Sequence, residues 1–170
     1  EAEVGQIYTG KVAKIADFGL STTYYNTPQR KYTANIGTPV YMAPEVVVGT
    51  DDSDDDSDVI YNPVLIDIYS FGILMWSVLS GLKPYKKEVI DKQLTLLELF
   101  DNIINHTFRP NATDVHTVWN RDDAFDATII VPIIEIMKKC WEREPRDRYQ
   151  SFDNVKSELN NVKSKLLEHY

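Results

Sequence analysis

Asp17 is the residue in this sequence best suited to chemistry. It stands in Lys14-Ile15-Ala16-Asp17-Phe18-Gly19-Leu20, after an apolar lead-in and two positions before a glycine. A carboxylate at the end of an extended segment offers the hard oxygen that Mg²⁺ prefers. A metal held there could neutralise phosphate groups, the main requirement of phosphoryl transfer. Gly19 would let the backbone swing beside it. The plainer alternative is a strand-ending turn of the Asp-x-Gly kind. Downstream lies a polar stretch with Ser21, Thr22, Thr23, Tyr24, Tyr25, Thr27, Tyr32 and Thr33. A phosphate on one of these hydroxyls would add charge and acceptor oxygens for an arginine to capture, ordering the segment. The plainer alternative is a solvated loop. Then come Gly37-Thr38-Pro39-Val40-Tyr41-Met42-Ala43-Pro44-Glu45. His106, His116 and His169 show no metal-ligand spacing and receive no role.

The elements that must position these residues are mostly helical. Residues 1–16 read as two short strands turning at Thr9-Gly10, and residues 20–36 as loop. A short helix over 43–48 ends at Gly49. Residues 64–79 are apolar nearly all round, which marks a buried central helix closed by Gly81. An amphipathic helix follows over 94–105, and Arg109-Pro110 ends that region. Residues 111–125 read as polar and irregular. Another apolar helix spans 127–141, with Pro132 in its first turn, because an interior proline costs about 3 kcal/mol. The clearest helix is 151–169. Ser151 is its candidate N-cap, and Phe152, Val155, Leu159, Val162 and Leu166 step along one face. One mostly α domain over residues 1–170 is expected: a helical bundle around a buried central helix, with a short N-terminal β-hairpin.

Composition narrows the function classes. The 170 residues suffice for one compact domain with a sizeable core. Of the formal charge of −8, six negative charges sit in Asp51, Asp52, Asp54, Asp55, Asp56 and Asp58, leaving −2 elsewhere. The acidity therefore belongs to a loop at 50–58, read as a self-repelling surface segment. No basic stripe supports nucleic-acid binding. The single cysteine, Cys140, suits a reducing, cytoplasmic compartment. No apolar run is expected to span a bilayer: 66–79 is short and carries Asp67. The sequons at Asn105 and Asn111 are common chance triplets and carry no weight.

The order Asp17-Phe18-Gly19, a hydroxyl-rich stretch, then Ala43-Pro44-Glu45 resembles the activation segment of protein kinases. The resemblance covers essentially the whole chain and implies the C-terminal lobe of the α+β kinase fold. It implies ATP and Mg²⁺ as cofactors, with Ala16, Asp17, Phe18 and Gly19 at the nucleotide and Asp17 on the metal. Thr38 would border the substrate and contact a catalytic aspartate. Ser21, Thr22, Thr23, Thr27 and Thr33 become candidate phosphosites. Glu45 and Arg148 would form a buried ion pair, and Asp67 would anchor the central helix by accepting backbone hydrogen bonds. Gly37-Thr38 with Tyr41 is similar to serine/threonine kinases. Tyr69-Ser70-Phe71-Gly72, Trp76 and Cys140-Trp141 resemble the tyrosine-kinase-like group, whose members mostly phosphorylate serine and threonine.

The departures from that pattern shape the expected function. These 170 residues contain no His-Arg-Asp loop, hence no general base for the substrate hydroxyl, and no asparagine before Asn26. They hold no Gly-rich loop and no strand lysine paired with a helix glutamate. The stretches 50–58 and 111–126 are longer than usual, and Tyr149 stands where a proline usually follows the arginine. The expectation is a kinase fragment, inactive alone, whose partners are a protein Ser/Thr substrate and a missing N-terminal lobe. The parent protein could be membrane-anchored through a region outside this chain. The alternative is a catalytically dead kinase-like module that binds or scaffolds.

Overall fold

A computed structural model describes residues 13–21, 38–48, 62–91, 93–119 and 126–168. Among them the α-helices are α1 (Pro44–Val48), α2 (Pro63–Ser80), α3 (Lys86–Asp91), α4 (Leu96–Asn105), α5 (Thr113–Trp119), α6 (Val131–Cys140) and α7 (Phe152–Glu168). Short 3₁₀ turns form at Phe18–Leu20, Pro39–Tyr41 and Pro145–Asp147, and a π-helical turn at Asp126–Ile130 runs into α6. No strand occurs among the described residues. The expected hairpin and the acidic loop at 50–58 fall almost entirely outside them; residues 13–17 are irregular.

The helix ends follow local chemistry. Asn62 caps α2, its side-chain oxygen accepting the Val64 N–H at 3.1 Å, and Pro63 sits in the first turn where its missing N–H costs nothing. At the other end Gly81 takes φ 70° and returns its N–H to the Ser77 carbonyl at 3.0 Å. That left-handed cap is the usual reason for a glycine there. Thr95 and Glu98 form a reciprocal capping box on α4. Ser151 Oγ accepts the Asn154 N–H at 3.2 Å to start α7.

α2 is the axis of the domain and packs on α5 and α6, and α7 packs on α6. Leu65, Ile68, Tyr69, Ile73, Met75 and Trp76 of α2 join Ile134, Ile136, Met137 and Cys140 of α6 and Val155 and Val162 of α7 in one core. Each such side chain contributes about 1.5–3 kcal/mol when fully buried. Gly72 permits the close approach of α2 and α6. A Cβ there would lie 2.9 Å from Cys140 Cβ and 3.1 Å from both the Met137 carbonyl oxygen and the Trp141 nitrogen.

Several expectations need correction. α2 is not buried all round: Leu74 is 47 % and Val78 71 % exposed, on a stripe with Asp67 and half-buried Phe71 at helical spacing. At 18 residues, α2 is also long and apolar enough, by length and composition alone, to cross a membrane, contrary to the shorter span read from sequence. Its packing, however, is that of a core helix. The region 111–126 is not simply irregular. Asn111 starts α5 by accepting the Thr113 N–H at 3.1 Å, and two indoles pin that helix to α2. Trp76 Nε1 donates to the Asn111 carbonyl at 2.8 Å, and Trp119 Nε1 to the Leu79 carbonyl at 2.7 Å. On α7, Phe152 is 42 % exposed rather than core, and meets Phe71 edge-to-face at 5.7 Å.

A second, smaller core positions the segment before α1. Tyr85, Leu99 and Ile103 are buried together, with Val40, Phe100 and Phe108 packed against them. This ties α4 to the Pro39–Tyr41 turn.

Candidate active-site remnant

Asp17 adopts the left-handed conformation, φ 64° and ψ 62°, at the start of the Phe18–Leu20 turn. A non-glycine residue rarely takes that conformation, and aspartate is among those that tolerate it best. The turn is closed by the Ser21 N–H to the Phe18 carbonyl at 3.1 Å and by Ser21 Oγ to the same oxygen at 2.7 Å. Ala16, Asp17 and Gly19 are exposed, and the Phe18 ring is 65 % exposed. Ser21, a candidate phosphosite, therefore stands exposed with its hydroxyl engaged in the turn. Thr22, Thr23, Thr27 and Thr33 lie outside the described residues.

Among the described residues, no group of three or more His, Cys, Asp or Glu side chains could hold a metal alone. Asp17 does fit the role of a single carboxylate ligand: it is open to solvent at the head of a turn. Mg²⁺ at nucleotide sites is held in that fashion, by one or two carboxylates with phosphates and waters completing the shell. When bound, such an ion would neutralise phosphate charge.

Thr38 is exposed, and its carbonyl accepts the Tyr41 N–H at 3.0 Å, closing the Pro39–Tyr41 turn. The turn is fastened on two sides. Val40 packs into the second core, and the Tyr41 carbonyl accepts Ser70 Oγ of α2 at 2.9 Å. Immediately afterwards Ala43 is fully buried, which roots α1 in the main core.

Glu45 and Arg148 are brought together although 103 positions apart. Arg148 Nη1 donates to Glu45 Oε1 at 2.7 Å and Nη2 to Oε2 at 2.8 Å, a bidentate pair. The remaining donors reach backbone carbonyls: Nη1 to Leu65 at 2.9 Å, Nε to Glu142 at 2.8 Å and Nη2 to Arg143 at 2.9 Å. All the N–H donors of a guanidinium are thereby used. Arg148 is buried and its guanidinium lies 5.0 Å from the centre of the Tyr69 ring.

Sequence reasoning missed the second cation in this region. Arg109 lies 5.1 Å from the same ring centre, with Nε on the Trp141 carbonyl at 2.9 Å and Nη1 on the Ile103 and Phe108 carbonyls at 3.2 and 2.7 Å. It joins the end of α4 to the end of α6. Burial raises the Tyr69 phenol above its ordinary value, against the opposing pull of the Arg109 and Arg148 charges. Only the Arg-Pro pair at 109–110 hinted at such a role.

Asp67, in the second turn of α2, is exposed by area, yet its carboxyl is hemmed in enough that burial raises it above its ordinary value. Among the described residues nothing hydrogen-bonds its carboxylate, and the catalytic loop expected to do so is not among these 170 residues.

Comparison with known proteins settles the class. The protein kinase domain profile matches residues 6–159. The chain belongs to the protein kinase family. It is 33 % identical over 153 residues to the rat receptor-interacting serine/threonine-protein kinase 3, covering 88 % of this chain and 28 % of that protein. A dual specificity protein kinase of Dictyostelium discoideum is 28 % identical over 137 residues, covering 81 % of this chain and 17 % of its own length. The mouse ankyrin repeat and protein kinase domain-containing protein 1 is 27 % identical over 138 residues, with 79 % and 16 % covered. The chain thus spans under a third of each of these relatives. Its mostly helical architecture is that of the kinase C-terminal lobe.

Proposed function

We infer that this chain is the C-terminal lobe of a protein serine/threonine kinase, whose reaction transfers the γ-phosphoryl group of ATP to a protein hydroxyl. The observation that carries the reading is the Thr38–Glu45 segment. Its far end is locked by Glu45 and Arg148, its middle is fastened to α2 and the second core, and Thr38 is left exposed at the edge. A rigid wall presenting one exposed hydroxyl residue suits the positioning of a protein substrate. Asp17 would hold Mg²⁺, with Ala16, Phe18 and Gly19 beside the nucleotide. The hydroxyls between 21 and 33 would take the activating phosphate. A cytoplasmic location fits the single buried, unpaired Cys140.

The 170-residue polypeptide alone supplies a metal ligand and a substrate wall but no His-Arg-Asp base, and we expect it to be inactive by itself. The alternative reading is a kinase-like scaffold module. Two measurements separate the cases. Sustained phosphate transfer from ATP-Mg²⁺ to a generic protein substrate by the purified 170-residue chain would overturn the expected inactivity. In the protein made from its complete reading frame, Asp17→Ala should abolish transfer. A wild-type protein from that frame that transfers nothing would favour the scaffold.

A further inference from the structure

We propose that Ser70 is a positioning residue for the substrate-side turn, its hydroxyl fixing where Thr38 and a bound protein substrate sit. The inference rests on the reading of Thr38–Tyr41 as the substrate-side wall.

A serine inside a helix commonly turns its hydroxyl back to a carbonyl of the preceding turn. Ser70 instead reaches out of α2 to the Tyr41 carbonyl, 29 positions away, at 2.9 Å. Its helical setting is rigid: Ile68, Tyr69 and Ile73 around it are fully buried. The turn it holds has one internal hydrogen bond, from the Tyr41 N–H to the Thr38 carbonyl at 3.0 Å. A three-residue turn closed by a single bond does not fix its own orientation. External fastening must do so.

The opposite fastening is apolar. Val40 packs against Tyr85, Leu99 and Ile103. Tyr85 is fully buried at φ 58°, a left-handed conformation that a bulky residue adopts only where its surroundings over-determine it. Val40 therefore rests on a stiff platform, and the Ser70 bond sets the remaining rotation of the turn about that contact. Loss of the hydroxyl frees the Tyr41 carbonyl and lets Thr38 shift. Protein-substrate binding should suffer, while nucleotide binding, assigned to Asp17, should not.

The test uses the protein from its complete reading frame, with casein as the probe substrate. Ser70→Ala should raise KM for casein about fivefold, the size expected for one lost hydrogen bond, with KM for ATP and Tm nearly unchanged. Ser70→Thr, which keeps the hydroxyl, should restore most of the loss. A KM for casein unchanged by Ser70→Ala, or one that rises together with KM for ATP and a falling Tm, would overturn the assignment. Amide hydrogen exchange supplies an arm independent of activity. The Tyr41 amide should exchange faster in Ser70→Ala while the α7 amides keep their wild-type rates. Unchanged exchange at Tyr41 overturns the proposal. A wild-type protein that transfers no phosphate would refute the kinase reading alone, leaving exchange to decide Ser70.

Discussion

Replacing Arg148 with alanine should all but unfold this lobe. The substitution removes a fully buried guanidinium and leaves the Glu45 carboxylate, only 21 % exposed at its side chain, facing no cation. It also strips a partner from the Leu65, Glu142 and Arg143 carbonyls. Breaking a buried pair from one side costs about 3–5 kcal/mol. A domain of this size is typically stable by about 5–15 kcal/mol, so most of its margin disappears. For 150–250 residues each kcal/mol lowers Tm by about 2–4 °C, so the pair alone should lower Tm by roughly 6–20 °C. The assay is thermal denaturation followed by circular dichroism, with urea titration as a second measure. Arg148→Lys should recover little, because an ammonium cannot reproduce the planar fork. The double variant Glu45→Leu with Arg148→Met should be far milder than Arg148→Ala, because apolar groups of similar size remove both charges. An Arg148→Ala protein melting within about 2 °C of wild type would refute the reasoning.

Three further outcomes are expected. Gly72→Ala gains helix propensity but drives a Cβ against backbone atoms of α6 that cannot rotate away, so a net loss of about 1–2 kcal/mol should appear in urea denaturation. Burial pushes the Cys140 thiol up to about 12, so a thiol reagent at mildly alkaline pH should label it only once denaturant is added; rapid labelling of the native protein would contradict its burial. Burial also raises the Asp67 carboxyl, so the folded chain holds that proton more tightly than the unfolded one, and stability falls as pH rises through the interval between the two values. Asp67→Asn should therefore be more stable than wild type at neutral pH, with the gap closing below the ordinary carboxylate range; a gap independent of pH would exclude that origin.

What could be read from sequence depended on how far each signal reached. α7 was legible because its apolar residues recur at three and four positions over a long stretch, and α2 because few helices are so uniformly apolar. α5 was not, since Val115 is its single buried residue and a seven-residue helix with one buried position has no period to find. Its stability comes from Trp76 and Trp119, whose indoles bond to carbonyls 35 and 40 positions away. The meeting of Glu45 with Arg148 rested on family resemblance, because no local rule links residues so distant. The contacts of Arg109 with the Trp141 carbonyl and the Tyr69 ring, and of the Ser70 hydroxyl with the Tyr41 carbonyl, belong to the same class: their partners come from other elements, invisible to any window of neighbouring residues. That apolar surface of α2 stays open could be expected, but not that Leu74 and Val78 carry it, because apolar character states what a helix tolerates, not which neighbours are present.

The carboxylate–guanidinium contact also imposes an order on biosynthesis. Glu45 leaves the ribosome 103 residues before the side chain that satisfies it. Until Arg148 emerges, α1 can fold only around an unneutralised acid, although Val40 and Tyr41 beside it already have their partners, the second core and Ser70. The Glu45 end of the Thr38–Glu45 segment is thus fastened late, when α7 is about to follow. Contacts of such sequence separation are slow to form and leave apolar surface open meanwhile. A nascent chain stalled before α5 and α6 emerge would present its central helix uncovered, the species a chaperone would be expected to meet.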